Sequence, residues 1–367
     1  MDDWETRALL VFAEEAGRGL RGLDAQVWRR RIERRYQELE AALDRLLGNG
    51  QAGEALELAT RLAEFLRISG RVATGRRWLA RTLAAGPDDH RRAVGLYEDG
   101  MLAFWQGADE EACSQLGRSL QLARRLGDHT TVALALCGLA RVALREDLDW
   151  ARALCQEALA EVAGTGDRLG RANALHVLGV TAQMRGDLAT ARDLMTRRIT
   201  TARELGDMAA IGAESANLSM VERQLGNLAR AEQLAREALR IATRRGDQWL
   251  VPYVLNGLAA VAVETGAFER ATTLLGAAAA MVERQGNAWP PDEAPHFRRS
   301  RAAAARALDL DQFERAWSAG QQLPTTEAVR YALSRPSSAP PARGRPGCGS
   351  PGSPRTQGRR GRAAAGR

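Results

Sequence analysis

The residues whose spacing best imitates a chemical site are Gly17-Arg18-Gly19-Leu20-Arg21-Gly22, a formal match to G-x-G-x-x-G. That fingerprint holds a dinucleotide only where a strand runs into it and a helix opens directly after it. Here the preceding residues 4–16 have helical spacing, with Trp4, Ala8, Val11 and Phe12 on one side. The glycines therefore read as a helix C-terminus and its loop. The 367-residue chain contains no lysine, all 52 of its Lys+Arg cations being arginine. That removes a P-loop lysine, a Schiff-base lysine and a lysine general base. His90, His129, His176 and His296 are far apart, and none stands four residues from another or from a cysteine, so metal-ligand spacing is missing. Cys113, Cys137, Cys155 and Cys348 form no CxxC pair. Neither G-x-S-x-G nor H-E-x-x-H occurs. Glu and Arg mixed along helices read as solvated faces with i,i+4 pairs. The expectation is a non-catalytic chain with no cofactor and no metal.

Charge and cysteine usage narrow the setting. The net charge is +7, yet nine arginines and no acidic residue lie from Ala328 onward, which leaves residues 1–327 at −2. The basicity belongs to a Pro-, Gly-, Ser- and Arg-rich stretch, 335–367, whose composition reads as a disordered tail. Clustered arginines bind phosphates without sequence preference, but this tail has no aromatic for base stacking, so nucleic acid is expected only as a weak partner. Three of the cysteines fall in alanine-rich stretches where a thiol acts as a small hydrophobe, consistent with a reducing cytoplasm. Met1-Asp2-Asp3-Trp4-Glu5 lacks the basic start of a signal peptide. Arg141 interrupts the most apolar run, 131–144, so no membrane span is expected.

What positions the side chains is a repeat. Gly-Asp or Gly-Asn pairs occur at Gly127-Asp128, Gly166-Asp167, Gly206-Asp207, Gly246-Asp247 and Gly286-Asn287, spaced 39, 40, 40 and 40 residues apart. A second set of turns lies between them: Gly107-Ala108, Glu146-Asp147, Gly186-Asp187, Gly226-Asn227 and Gly266-Ala267. Each period therefore holds two helices, with glycine ending one and Asp or Asn capping the next. Small residues recur at Gly100, Ala140, Gly179, Ser219 and Ala259, and again eleven or twelve residues on at Ala112, Ala151, Ala191, Ala231 and Ala271. Ala158, Ala238 and Ala278 follow seven residues after three of these. Such side chains let antiparallel helices approach closely. The pattern resembles tetratricopeptide repeats, stretched from the usual period of about 34 residues. HEAT repeats share the longer period but not this spacing of small residues or the Gly-Asp hinges.

The fold class is thus all-α, a tetratricopeptide-like α-solenoid superhelix. The expected organisation is an N-terminal helical cap over 1–50, about six helix pairs over 51–287, a C-terminal helical cap over 288–334 and the tail. A degenerate first pair covers 53–68 and 74–85, one long charged helix covers 25–47, and short helices cover 292–308, 312–319 and 325–333.

A second resemblance spans about residues 5–334. Leu274-Leu275-Gly276-Ala277-Ala278, Arg284, Gly286, Pro291, Glu293, Phe313, Ala316-Trp317, Gly320, Leu323, Ala328 and Ala332-Leu333 resemble the end of the repeat half of large bacterial signal-transducing ATPase regulators of LuxR-like and AfsR-like type. Leu20-Arg21-Gly22, Glu33, Leu39, Ala41-Ala42-Leu43 and Gly75-Arg76-Arg77-Trp78-Leu79 are similar to its beginning. The resemblance implies a signal-sensing or protein-interaction scaffold that controls an ATPase or DNA-binding regulator, here a separately encoded one. The alternative is a transcriptional regulator that contacts DNA itself or through a partner, with the basic tail contributing.

In tetratricopeptide arrays the first helix of each pair lines the inner groove. The corresponding positions are Tyr97, Met101, Phe104, Cys137, Arg141, Asn173, His176, Gln183, Ala216, Arg223, Tyr253 and Asn256, with Asn217 flanking. Amides pair with a peptide backbone and arginines with carboxylates, so an extended protein segment, a peptide or a polar small-molecule effector would fit there.

Overall fold

The computed structural model describes residues 3–334, and within them the chain forms eighteen α-helices and no strand. Three helices open it: α1 (Asp3–Arg21), α2 (Ala25–Arg34) and α3 (Tyr36–Gly48). Six antiparallel pairs follow. They are α4 (Ala52–Ile68) with α5 (Val72–Ala85), α6 (His90–Gln106) with α7 (Asp109–Leu126), and α8 (His129–Ala143) with α9 (Leu148–Glu161). Next come α10 (Arg168–Met184) with α11 (Leu188–Leu205), α12 (Met208–Gln224) with α13 (Leu228–Arg245), and α14 (Val251–Glu264) with α15 (Phe268–Arg284). The helices α16 (Ala294–Ala307), α17 (Leu310–Gln322) and α18 (Thr325–Leu333) finish the described chain. This is a tetratricopeptide-like α-solenoid. The Arg-rich stretch expected to be disordered lies outside the described residues.

The turns follow from local chemistry. At the end of α7, Gly127 takes φ 67°, its N–H meets the Arg124 carbonyl, and the Asp128 N–H meets the Ala123 carbonyl. This is the two-bond closure that only a residue tolerant of left-handed geometry makes cheaply. The Asp128 carboxylate then accepts the Thr131 N–H at 3.0 Å and starts α8. Asp147, Asp167, Asp187 and Asp207 cap α9 to α12 in the same way. The small residues sit where helices cross: Ala112, Ala151, Ala191, Ala231 and Ala271 are all fully buried. Ser219 donates to the Ala231 carbonyl at 2.8 Å across one such crossing.

Two expectations about the N-terminal helices are corrected. The long helix over 25–47 breaks at Arg35, because Tyr36 turns inward to stack on Trp78 at 5.7 Å beneath the Arg71 guanidinium. Helix α1 ends at Arg21, so G-x-G-x-x-G is a helix C-terminus followed by its turn at Gly22, as expected. The side of α1 that is buried differs from the expected one. Its buried row is Leu9, Phe12, Ala13, Ala16 and Leu20, while Trp4 and Val11 are 75% and 55% exposed. The neighbours decide this face. Trp28 of α2 lies so close that a Cβ on Gly19 would fall 2.0 Å from its ring, and Arg61 of α4 donates to the Leu10 carbonyl at 2.7 Å. Further along, the helix expected from 312 begins at Leu310, set there by a capping box between Asp309 and Gln312.

The solenoid curls until its first turn meets its last. The N–H of Gln248 donates to the Ile68 carbonyl at 3.1 Å, and that of Ala288 to the Trp105 carbonyl at 2.9 Å. At the same seam Arg245, 2% exposed, donates to the Leu20 carbonyl at 2.8 Å and pairs with Asp247 at 2.9 Å. Closure converts an open concave face into a walled, half-open central space. Among the described residues no helix is long and apolar enough to cross a membrane.

Candidate functional site

The curl surrounds a cavity of about 300 Å³. One wall is aromatic. Phe104 and Trp105, at the end of α6, meet Trp249, which the Gly246-Asp247 turn delivers just before α14. Trp105 and Trp249 pack edge to face with centroids 4.5 Å apart, and Trp249 is 4.9 Å from Tyr253. The ladder continues behind the wall through Trp289 and Phe297. Guanidinium groups lie over two of these rings: Arg67 over Trp249 at 4.6 Å and Arg141 over Trp105 at 5.7 Å.

A buried polar trio contributes two further lining residues, His176 and Arg198. Glu214 of α12 is fully buried, accepts from Arg198 of α11, and lies 2.7 Å from Nδ1 of His176 on α10. Arg198 also donates to the Ala172 carbonyl at 3.1 Å. Burial pulls His176 down to about 4, so its ring is neutral and Nδ1–H is the donor to the carboxylate. Burial alone would push Glu214 up, but His176 and Arg198 outweigh it and hold the carboxyl below its ordinary value.

Alongside these groups stand Glu64, Glu98, Arg141, Asp292 and Glu293. Burial pulls the Arg141 guanidinium below its ordinary value and pushes Glu98 up to about 7. Glu293 accepts from Asn256 at 2.6 Å; burial first, then the Asp292 charge, push it up to about 8. The sign of the consequence is fixed. An unfolded Glu293 ionises near 4.5, so the stability it contributes is whole below that pH and is lost as pH rises through about 8. Glu293→Gln should therefore gain on the wild type as pH rises from about 5 to about 8. Urea titrations across that range read the difference. A pH-independent gap would mean that the folded carboxyl is already ionised.

The structure brings Tyr97, Met101, Phe104, Arg141, Asn173, His176, Asn217 and Tyr253 onto the cavity wall, with Ala216 beside them. It does not bring Gln183, Arg223, Asn256 or Cys137 there. Arg223 pairs with Glu264 and reaches His296 at 3.0 Å, Asn256 supports Glu293 from behind, and Gln183 and Cys137 are buried. Glu64, Glu98, Trp105, Arg198, Trp249 and Asp292 line the cavity without having been read from the sequence. Arg198 comes from a second helix, and Trp249 and Asp292 come from connections. A rule confined to first helices misses all three.

The fold is similar to that of several solved structures. A Rap protein complexed with competence and sporulation factor matches at TM-score 0.57 and 15% identity, over 89% of this chain and 88% of that one. NprR in complex with its cognate peptide NprX matches at TM-score 0.53 and 15% identity, over 83% of this chain and 89% of that one. A signal transduction ATPase with numerous domains and a tetratricopeptide-repeat sensor, from Pyrococcus horikoshii, matches at TM-score 0.51 and 17% identity, over 76% of this chain and 44% of that one. No family model matches the chain, and no curated protein matches it. What these likenesses establish is the tetratricopeptide-like fold.

Proposed function

We propose that this chain is a non-catalytic sensing scaffold whose signal, a short peptide or small effector, occupies the central cavity and alters what the ring presents to a partner protein. The observation that carries this reading is the closed seam around a wall of charged and aromatic side chains. An occupant touching Tyr97 and Arg141 on early helices, Tyr253 on a late helix and Asp292 on the connection before α16 bridges both sides of the seam. It therefore binds the closed ring more tightly than an opened one, and differential affinity is what moves a conformational equilibrium. The peptide bound by NprR in its complex supports a peptide as one form of the signal. The sensor of the Pyrococcus horikoshii protein supports an ATPase as the kind of effector controlled.

Affinity capture with the full chain as bait, beside an Arg141→Glu bait, tests the reading. A partner should be retained by the first and lost or altered by the second, with both baits equally helical. If the wild-type bait folds yet retains nothing that the Arg141→Glu bait does not, the partner-controlling scaffold is the wrong account.

A further inference from the structure

We propose that the cavity is built for an organic carboxylate carried on an aromatic or apolar body, with Arg141 as the anion anchor and the ring wall as the seat of the body. The inference rests on the cavity being the ligand site, and it names the chemistry of the ligand.

Arg141 is the first reason. Of the guanidinium groups on the inner wall, Arg67 is paired with Glu64 at 2.7 Å, Arg198 is held by Glu214, and Arg21 is exposed to solvent. Arg141, partly buried on α8, has neither a hydrogen bond nor an ion pair among the described residues; its close companion is the Trp105 face. Asp292 acts on it only through space, without a direct hydrogen bond, and a poorly solvated cation with no direct partner is what a ligand anion would offset.

The second reason is a pair of buried donors. Tyr253 is 5% exposed and its hydroxyl has no partner, and the indole N–H of Trp249 is likewise buried and unpartnered. Both side chains line the cavity. Their rings offer an apolar surface to an occupant, and a small side-chain shift would turn the covered donors toward an acceptor.

The approach is the third. A second cavity, of about 420 Å³, adjoins the first and shares Arg21, Leu169, Arg198, Asp207 and Ala210 with it. Of the arginines lining it, Arg18, Arg168 and Arg198 are paired with Glu14, Glu204 and Glu214, while Arg21 is exposed beside both cavities. An exposed cation at that junction attracts anions.

Charge and size select a carboxylate over a phosphate. Glu98, Asp292 and Glu293 share the wall with Arg141, so a dianion would face three carboxyl groups. Burial pushes Glu98 up to about 7 and Glu293 up to about 8, which weakens the repulsion these two exert on a singly charged ligand near neutral pH. The planar guanidinium fork also matches a carboxylate in bidentate fashion. The volume lies at the lower end of the roughly 300–1,000 Å³ of drug-sized sites, so the body is compact. The carboxylate could arrive on a free aromatic acid or at the C-terminus of a short peptide, and the chemistry met by Arg141 is the same.

Four probes decide it, measured against the full chain by calorimetry and saturation-transfer NMR: indole-3-propionate, its primary amide, the tripeptide Gly-Gly-Trp, and that tripeptide amidated at its C-terminus. At least one acid should bind saturably and about tenfold or more tighter than its own amide, since charge-assisted bonds to Arg141 are lost in the amide. Arg141→Gln should abolish that preference, and the exposed control Arg118→Gln should not. Which acid prevails identifies the source. The acid-against-amide comparison on the wild type stands even where Arg141→Gln folds poorly. Amides equal to their acids, with binding sensitive to Trp249→Leu, would overturn the carboxylate while leaving the cavity a ligand site. No saturable binding by any probe would overturn the inference, with the scaffold reading still judged by capture.

Discussion

Glu214→Ala is expected to lower the unfolding free energy by about 3–5 kcal/mol, the usual cost of stripping one partner from a buried ion pair. Glu214 is fully buried and Arg198 is 8% exposed, so the loss of one leaves the other in a poorly solvated place. After truncation the guanidinium keeps only the Ala172 carbonyl at 3.1 Å, beside a neutral His176 that supplies no negative charge. The trio joins three successive helices, α10, α11 and α12, so its loss loosens the junction between two repeats rather than one side chain. Urea denaturation followed by circular dichroism checks the size. A second variant tests the cause. The triple replacement His176→Phe, Arg198→Met and Glu214→Leu removes every buried polar member together, and such exchanges are often neutral or stabilising. It should recover most of what Glu214→Ala loses. A Glu214→Ala loss within about 1 kcal/mol would show that water reaches Arg198, as at an exposed pair.

The parts of this molecule legible in sequence are those fixed by local chemistry. Gly127-Asp128 ends one helix and begins the next through bonds spanning a few residues, so its meaning is visible without the rest of the chain. The buried alanines at 112, 151, 191, 231 and 271 are legible for a similar reason, since only small side chains permit the crossings. The break at Arg35 is different. Nothing in 25–47 demands it; Trp78 and Arg71, more than thirty residues away, draw Tyr36 inward. The buried face of α1 is likewise chosen by Trp28 and Arg61 rather than by its own periodicity. The cavity divides along the same line. Tyr97, Arg141 and His176 follow from the repeat register, whereas Trp249, Asp292 and Glu293 arrive only because the solenoid closes. Closure depends on carbonyls and turns far apart in sequence, which no periodic pattern encodes.

The seam itself supplies the other large effect. Arg245→Ala removes the donor to the Leu20 carbonyl at 2.8 Å and the partner of Asp247 at 2.9 Å, and it leaves Glu64 without its more distant contact at 3.8 Å. Asp247 is 3% exposed, so an unpaired carboxylate stays behind in a buried place. The expected loss is about 3–5 kcal/mol. Part of it should appear as opening rather than unfolding, because apart from the Gly246-Asp247 turn beside it the Gly-Asp turns and the caps of the array do not involve Arg245. Small-angle scattering should therefore show a larger radius of gyration at unchanged helicity. The Gln248 amide, which donates to the Ile68 carbonyl across the seam, should lose hydrogen-exchange protection before amides inside α13 or α14. Arg245→Lys keeps the charge without the fork, so it should fall between wild type and alanine. If Arg245→Ala left both radius and Gln248 protection unchanged, the aromatic contact between Trp105 and Trp249 would be sufficient to hold the ring. If the ring opens while the helices stay, closure is an equilibrium separate from folding. An occupant that bridges the seam then has a two-state element to act upon, which a sensing role requires and a rigid ring would deny.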